Sequence, residues 1–145
     1  MGIQKQEFYE GAALHQLICR SNEIKGIVYA SPFFVIDGSL QVYLKYSTGK
    51  RSPWGFTFTP DEQHLLQSSA QEVPLVIGLI CGADGVAALP YEEYIKVAQV
   101  KNTALRVSCR RLHREHFEVG GPNGTLSRKV APSDWSNLLM RRKEI

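Results

Sequence analysis

Apolar positions along this chain follow two rhythms. Between residues 4 and 20, Tyr9, Ala13, Leu14, Leu17 and Ile18 recur three and four apart, which predicts a helix with one apolar face. Gly11 inside it costs about 1 kcal/mol relative to Ala, and Ser21-Asn22-Glu23 ends it. From Phe33 the rhythm turns to alternation. FFVIDGSLQVYLKYS predicts two strands joined at Asp37-Gly38, a pair suited to the positive φ angles of a type I′ turn. With those two residues as the whole loop, Phe34 faces Gln41 and Phe33 faces Val42. Phe33, Val35, Leu40, Val42 and Leu44 then share one apolar face. A polar connection, Ser47 to Pro53, leads to Trp54–Phe58, a third strand of the same meander with Trp54, Phe56 and Phe58 on one side.

The sharpest local signal follows at Thr59-Pro60-Asp61-Glu62. Thr59 can cap a helix, Pro60 suits its first position and Glu62 completes a capping box, so a helix is predicted to about Ser69. PLVIGLIC (74–81) is apolar throughout, as a strand buried on both faces must be. Gly82 to Gly85 turns the chain, residues 86–89 return as a strand, and Pro90 opens a short helix. Further strands are predicted near 104–111, 116–119 and 125–130, with GGPNG (120–124) as a turn. Ser133 is predicted to cap a terminal helix, DWSNLLM. The order predicts a mixed α+β fold in one domain, residues 1–145, with a core over 1–98 and a β-rich basic extension over 99–145.

Composition narrows the setting. No run of about 18 apolar residues predicts a membrane span, and the first residues lack the apolar core of a secretory signal. Cys19, Cys81 and Cys109 are odd in number and far apart, which points away from a disulfide framework and toward a reducing cytoplasm. The net charge of +3 hides an asymmetry: residues 1–100 sum to −3 and residues 101–145 to +6. The basic end holds Arg106, Arg110, Arg111, Arg114, Arg128, Lys129, Arg141, Arg142 and Lys143. It reads either as a polyanion-facing side or as a solvated surface.

The helix, the meander, the second helix and the buried strand, with one lysine-bearing strand VYLKYST, resemble the core of the PD-(D/E)XK, or restriction-endonuclease-like, superfamily over roughly residues 4–98. The resemblance implies acids on two adjacent strands, a lysine two residues after the second, and a further acid from the first helix. Such a set binds Mg²⁺ or Mn²⁺ and hydrolyses a phosphodiester. Lys45 matches the lysine. Asp37 and Glu10 are the candidate acids, and Asp37 also has a bland role in its turn. Tyr43 stands where the second acid belongs. The resemblance therefore implies a degenerate, non-catalytic member, with no cofactor firmly required and Mg²⁺ or Mn²⁺ only in an active form.

Lys50 and Arg51 beside Trp54 combine cations with a ring that can stack on a base. With Arg110, Arg111, Arg128 and Lys129 they form the candidate nucleic-acid-binding set. The opposing reading buries Trp54 and leaves the loop solvated. His113-Arg114-Glu115-His116 after Cys109 holds metal-capable residues, but not at the helical spacing of a metalloprotease site. Three functions remain open: a DNA- or RNA-binding domain with a lost active site, an active nuclease using Glu10, Asp37 and Lys45, or a small accessory protein that binds a ligand, a protein partner or its own copy.

Overall fold

The computed structural model describes residues 2–21, 23–112 and 115–138. Among these the chain forms α1 (Lys5–Arg20), β1 (Ile27–Ala30), β2 (Phe33–Ile36), β3 (Leu40–Ser47), β4 (Trp54–Phe58), α2 (Pro60–Glu72), β5 (Leu75–Cys81), β6 (Gly85–Pro90), α3 (Tyr91–Val97), β7 (Leu105–Arg110), β8 (Glu118–Gly121), β9 (Gly124–Thr125) and α4 (Ser133–Ser136). The α+β class expected from the sequence is the observed one. No helix among the described residues is long and apolar enough to cross a membrane.

The strands form two sheets. The first has the order β1-β2-β3-β5-β6, with β3 and β5 parallel and the other pairs antiparallel. The second has the order β4-β7-β8-β9 and is antiparallel throughout. The meander is therefore β1-β2-β3, and β4 does not extend it. Burial explains the placement. Every residue of β5 is buried, so it suits the centre of a covered sheet, next to β3. In β4 only Trp54, Phe56 and Phe58 are buried, which suits a sheet with one wet face.

The β2–β3 register also differs from the two-residue loop. Asp37 and Gly38 have the expected positive φ values, 50° and 69°, and Ser39 N–H closes the turn on the Ile36 carbonyl at 3.1 Å. Ser39 is then passed over, and Leu40 pairs with Ile36 and Val42 with Phe34. The shift gathers Ile36, Leu40, Val42 and Leu44 on one face, with Phe34 packed against them, and sends Phe33 to the other. It also lets the Asp37 carboxylate accept from the backbone N–H groups of Lys25 (2.9 Å) and Gly26 (2.8 Å).

Two cores cover the first sheet. On one side Ala13 and Leu17 of α1, with Trp135 and Leu138, pack on Val42, Leu44, Val76 and Ile80. On the other, the inner faces of β4 and β7 join α2 and α3 over Ile77, Leu79, Ala87 and Leu89. The capping box at α2 forms as the sequence implies, with Pro60 first in the helix, although α2 runs on to Glu72. At the other end, Ser133 is the first residue of α4 and not its cap. The remainder of the expected last helix, from residue 139, lies outside the described residues. In place of a strand over 125–130 there is β9 and a single bridge from Val130 to Phe117.

Candidate nucleic-acid interface

Lys45 projects from β3 on the same face as Tyr43, toward α2 and the second sheet. Its ammonium is not alone. Glu62, the third residue of α2, spends one oxygen on the capping box: Oε1 accepts from Thr59 N–H at 3.0 Å, while Glu62 N–H donates to Thr59 Oγ1 at 3.1 Å. The other oxygen, Oε2, accepts from Lys45 Nζ at 2.7 Å and from the Tyr43 hydroxyl. Lys45 Nζ also lies 4.7 Å from the centre of the Phe58 ring. The paired side chains of Lys45 and Glu62 are only 19% and 21% exposed. Burial works to raise the Glu62 carboxyl, but the hydrogen bonds from Lys45, Tyr43 and Thr59 outweigh it and hold the group below its ordinary value. Burial, then the bond to Glu62, pushes the Tyr43 phenol up, so it stays a donor. Sequence reasoning used Glu62 as a cap alone. The signal for its second role was the carboxylate oxygen that a capping box leaves over.

The candidate acids do not join this cluster. Asp37 sits before the start of β3, and the six strand residues from Leu40 to Lys45 alone span about 17 Å. Its carboxylate is held by Lys25 and Gly26, a structural role. Glu10 is on α1, which packs on the opposite face of the first sheet. It accepts from Gln6 Nε2 at 2.8 Å, and burial raises its carboxyl. A hard divalent ion needs several oxygens converging on one point. Among the described residues no three His, Cys, Asp or Glu side chains gather that way, so these residues do not assemble a nuclease metal centre. Cys81 and Cys109 are buried, and contact with Cys109, then burial, pushes the Cys81 thiol up into an inert state. His116 is exposed, and His113 and Arg114 lie outside the described residues.

The candidate cations divide into two groups. Arg111 is paired to Asp84 at 2.7 Å and lies over the Phe117 ring. Arg128 bridges Glu93 and Asp134, and Lys129 reaches Glu115 at 3.1 Å. Lys50, Arg51 and Arg110 are exposed, with no ion pair among the described residues. Trp54, expected as a stacking platform, is instead 4% exposed, with its edge toward Phe117 and its indole N–H on the Gly49 carbonyl at 2.8 Å. That bond anchors the base of the loop that carries Lys50 and Arg51.

The outer face of the second sheet supplies a residue absent from the candidate set. Leu105, Val107 and Cys109 of β7 point inward, which leaves Arg106, Ser108 and Arg110 on the outside. Together with Pro53, Trp54, Glu118, Gly120 and Thr125 they line a groove of about 350 Å³. The alternation LRVSCR carries that signal once β7 is known to have one wet face. Comparisons with protein families, with curated proteins and with solved structures find no match to this chain.

Proposed function

We propose that this chain is a nucleic-acid-binding domain that holds its ligand on the outer face of the second sheet and does not cut it. The observation that carries the reading is a grouping of cations that have no ion pair among the described residues: Arg106 and Arg110 on one strand face, and Arg51 with Lys50 on the loop that enters the groove at Pro53. Phosphates are drawn by cations that have no internal acid to satisfy them. What supports a non-catalytic reading is the Lys45 ammonium already paired with Glu62 and the separation of Asp37 and Glu10 from it. The kinship with the PD-(D/E)XK core remains part of this proposal, with β4 standing between the meander and α2 in chain order. The carboxylate that faces its lysine, however, comes from α2 and is consumed by the cap.

The test is fluorescence anisotropy with labelled single- and double-stranded DNA and RNA over a salt series, followed by a gel for cleavage with Mn²⁺. Binding should weaken with a log–log salt slope of about −2 to −3 for three or four phosphate contacts on a single strand. No binding to any of the four at low salt would refute the reading. Mn²⁺-dependent cleavage lost in Lys45→Ala would replace it with a nuclease.

A further inference from the structure

The groove is built differently from a basic patch. Gly55, Ser108, Gly120 and Thr125 are aligned across all four strands by the pairings Gly55–Ser108, Ser108–Gly120 and Gly120–Thr125. This row makes a floor with almost no side chain. Arg106 and Arg110 flank it, about 13 Å apart along β7. Arg106 is exposed, but its side chain folds back over the sheet. Its guanidinium lies over Gly55, where any added side-chain carbon would collide with it, and the Thr125 hydroxyl lies close above Gly120. Glu118 stands opposite Arg110 in register, with no ion pair among the described residues.

We infer that this groove seats one unpaired nucleotide of a single strand, with its base stacked on the Arg106 guanidinium and its phosphate drawn to Arg110. The inference rests on the nucleic-acid reading above and adds the form of the ligand. A phosphate alone would need only the cations and would leave the glycine floor, the hydroxyls and Glu118 without a role. A base explains the remaining groups. The guanidinium plane over Gly55 is a stacking surface. Ser108 and Thr125 offer hydroxyls to a base or sugar edge, and the Glu118 carboxylate accepts from an exocyclic amine or a sugar hydroxyl. The volume lies at the lower end of small-ligand pockets, about 300–1,000 Å³, which suits a single nucleotide. In a duplex the flat faces of the bases are hidden, so a duplex could meet the cations but not the floor.

Gly55→Ala tests this without changing charge, because the new methyl must push the Arg106 guanidinium, the mobile end of a flexible side chain, off its seat. Affinity for a labelled single strand should fall about tenfold, the loss of one stacked base, while affinity for the matching duplex changes less than about twofold. Arg106→Lys, which keeps the cation and removes the plane without touching the backbone, should do the same. It stands as the decisive variant if Gly55→Ala proves poorly folded. Lys50→Ala with Arg51→Ala should weaken both ligands alike. Equal binding of single strand and duplex, or single-strand affinity unmoved by Arg106→Lys, would overturn the nucleotide seat and leave general polyanion binding standing. Failure of the wild type to bind any nucleic acid would remove both.

Discussion

Replacing Glu62 with Gln removes the charge that faces Lys45, together with the oxygen that accepts from Tyr43. Gln at this position keeps the capping box through its carbonyl oxygen and sets an amide NH2, a donor, where Oε2 accepted from Tyr43 and Lys45. What disappears is the negative charge 2.7 Å from the Lys45 ammonium. Exposed ion pairs contribute about 0–1 kcal/mol, and breaking a fully buried pair costs about 3–5 kcal/mol. Both side chains here keep about a fifth of their exposure, so water relieves part of the stranded charge and a cost of about 1–2 kcal/mol is expected. For a chain of this size that corresponds to a fall in Tm of about 3–6 °C. The pH dependence has a definite sign. The folded-state Glu62 carboxyl lies below its ordinary value, so its contribution is fully present above the unfolded carboxylate pKa, about 4.3, and is lost as pH falls through the lowered folded value. Denaturant unfolding, followed through buried Trp54 and Trp135, should show the full gap between wild type and Glu62→Gln at pH 7 and a closing gap below about pH 4. A double-mutant cycle with Lys45→Met should return a coupling of about 1 kcal/mol. A gap below about 0.5 kcal/mol at pH 7, or one that persists unchanged into strong acid, would refute the claim that this carboxylate neutralises Lys45.

Other perturbations separate structural from ligand-facing groups. Asp37→Ala should cost about 1–2 kcal/mol because two backbone N–H groups lose their acceptor. Asp37→Asn, which keeps an acceptor and tolerates positive φ, should cost much less, and urea midpoints for the two variants check this. Arg128→Ala should destabilise by about 2 kcal/mol, since Glu93 and Asp134 are left facing each other's charge, yet leave nucleic-acid affinity unchanged in anisotropy. Lys50→Ala with Arg51→Ala should leave the thermal midpoint alone and reduce the single-strand salt slope by about 1.4. Trp54→Phe should lower the midpoint through loss of the bond to Gly49 and leave affinity intact. A loss of binding without a loss of stability would restore Trp54 as a stacking platform.

What the sequence made legible was local, and what it hid depended on distant partners. The capping box at Thr59 and Glu62 could be read because every group it needs lies within four residues. The central place of β5 follows from a segment apolar on both faces. The register of β2 could not be read the same way. The turn rule identifies Asp37-Gly38, but the choice to pass over Ser39 depends on a carboxylate reaching Lys25 and Gly26, twelve and eleven residues earlier. β1, whose residues are mostly exposed, showed no alternation to announce it. The sheet that receives β4 is decided by β7, about fifty residues later. The Lys45–Glu62 pair is set by the crossover that carries the chain from β3 through α2 to β5.

Charge shows the same division, with a consequence for function. The +6 of residues 101–145 suggested a broadly basic end, but a count of cations does not show how many are available. Arg111, Arg128 and Lys129 each hold an acid in the fold, so they tie the β7–β8 connection and the segment before α4 to the rest of the molecule. Their attraction for a polyanion is largely spent within the protein. Among the described residues, Arg106 and Arg110, which β-alternation places on the wet face of β7, hold no acid, and neither do the cations on the loop before β4. Both places adjoin one groove because β4 and β7 are paired neighbours. The departure of β4 from the first sheet is therefore what creates the candidate interface. Had it remained beside β3, β7 would have lacked the partner whose Gly55 gives Arg106 its seat.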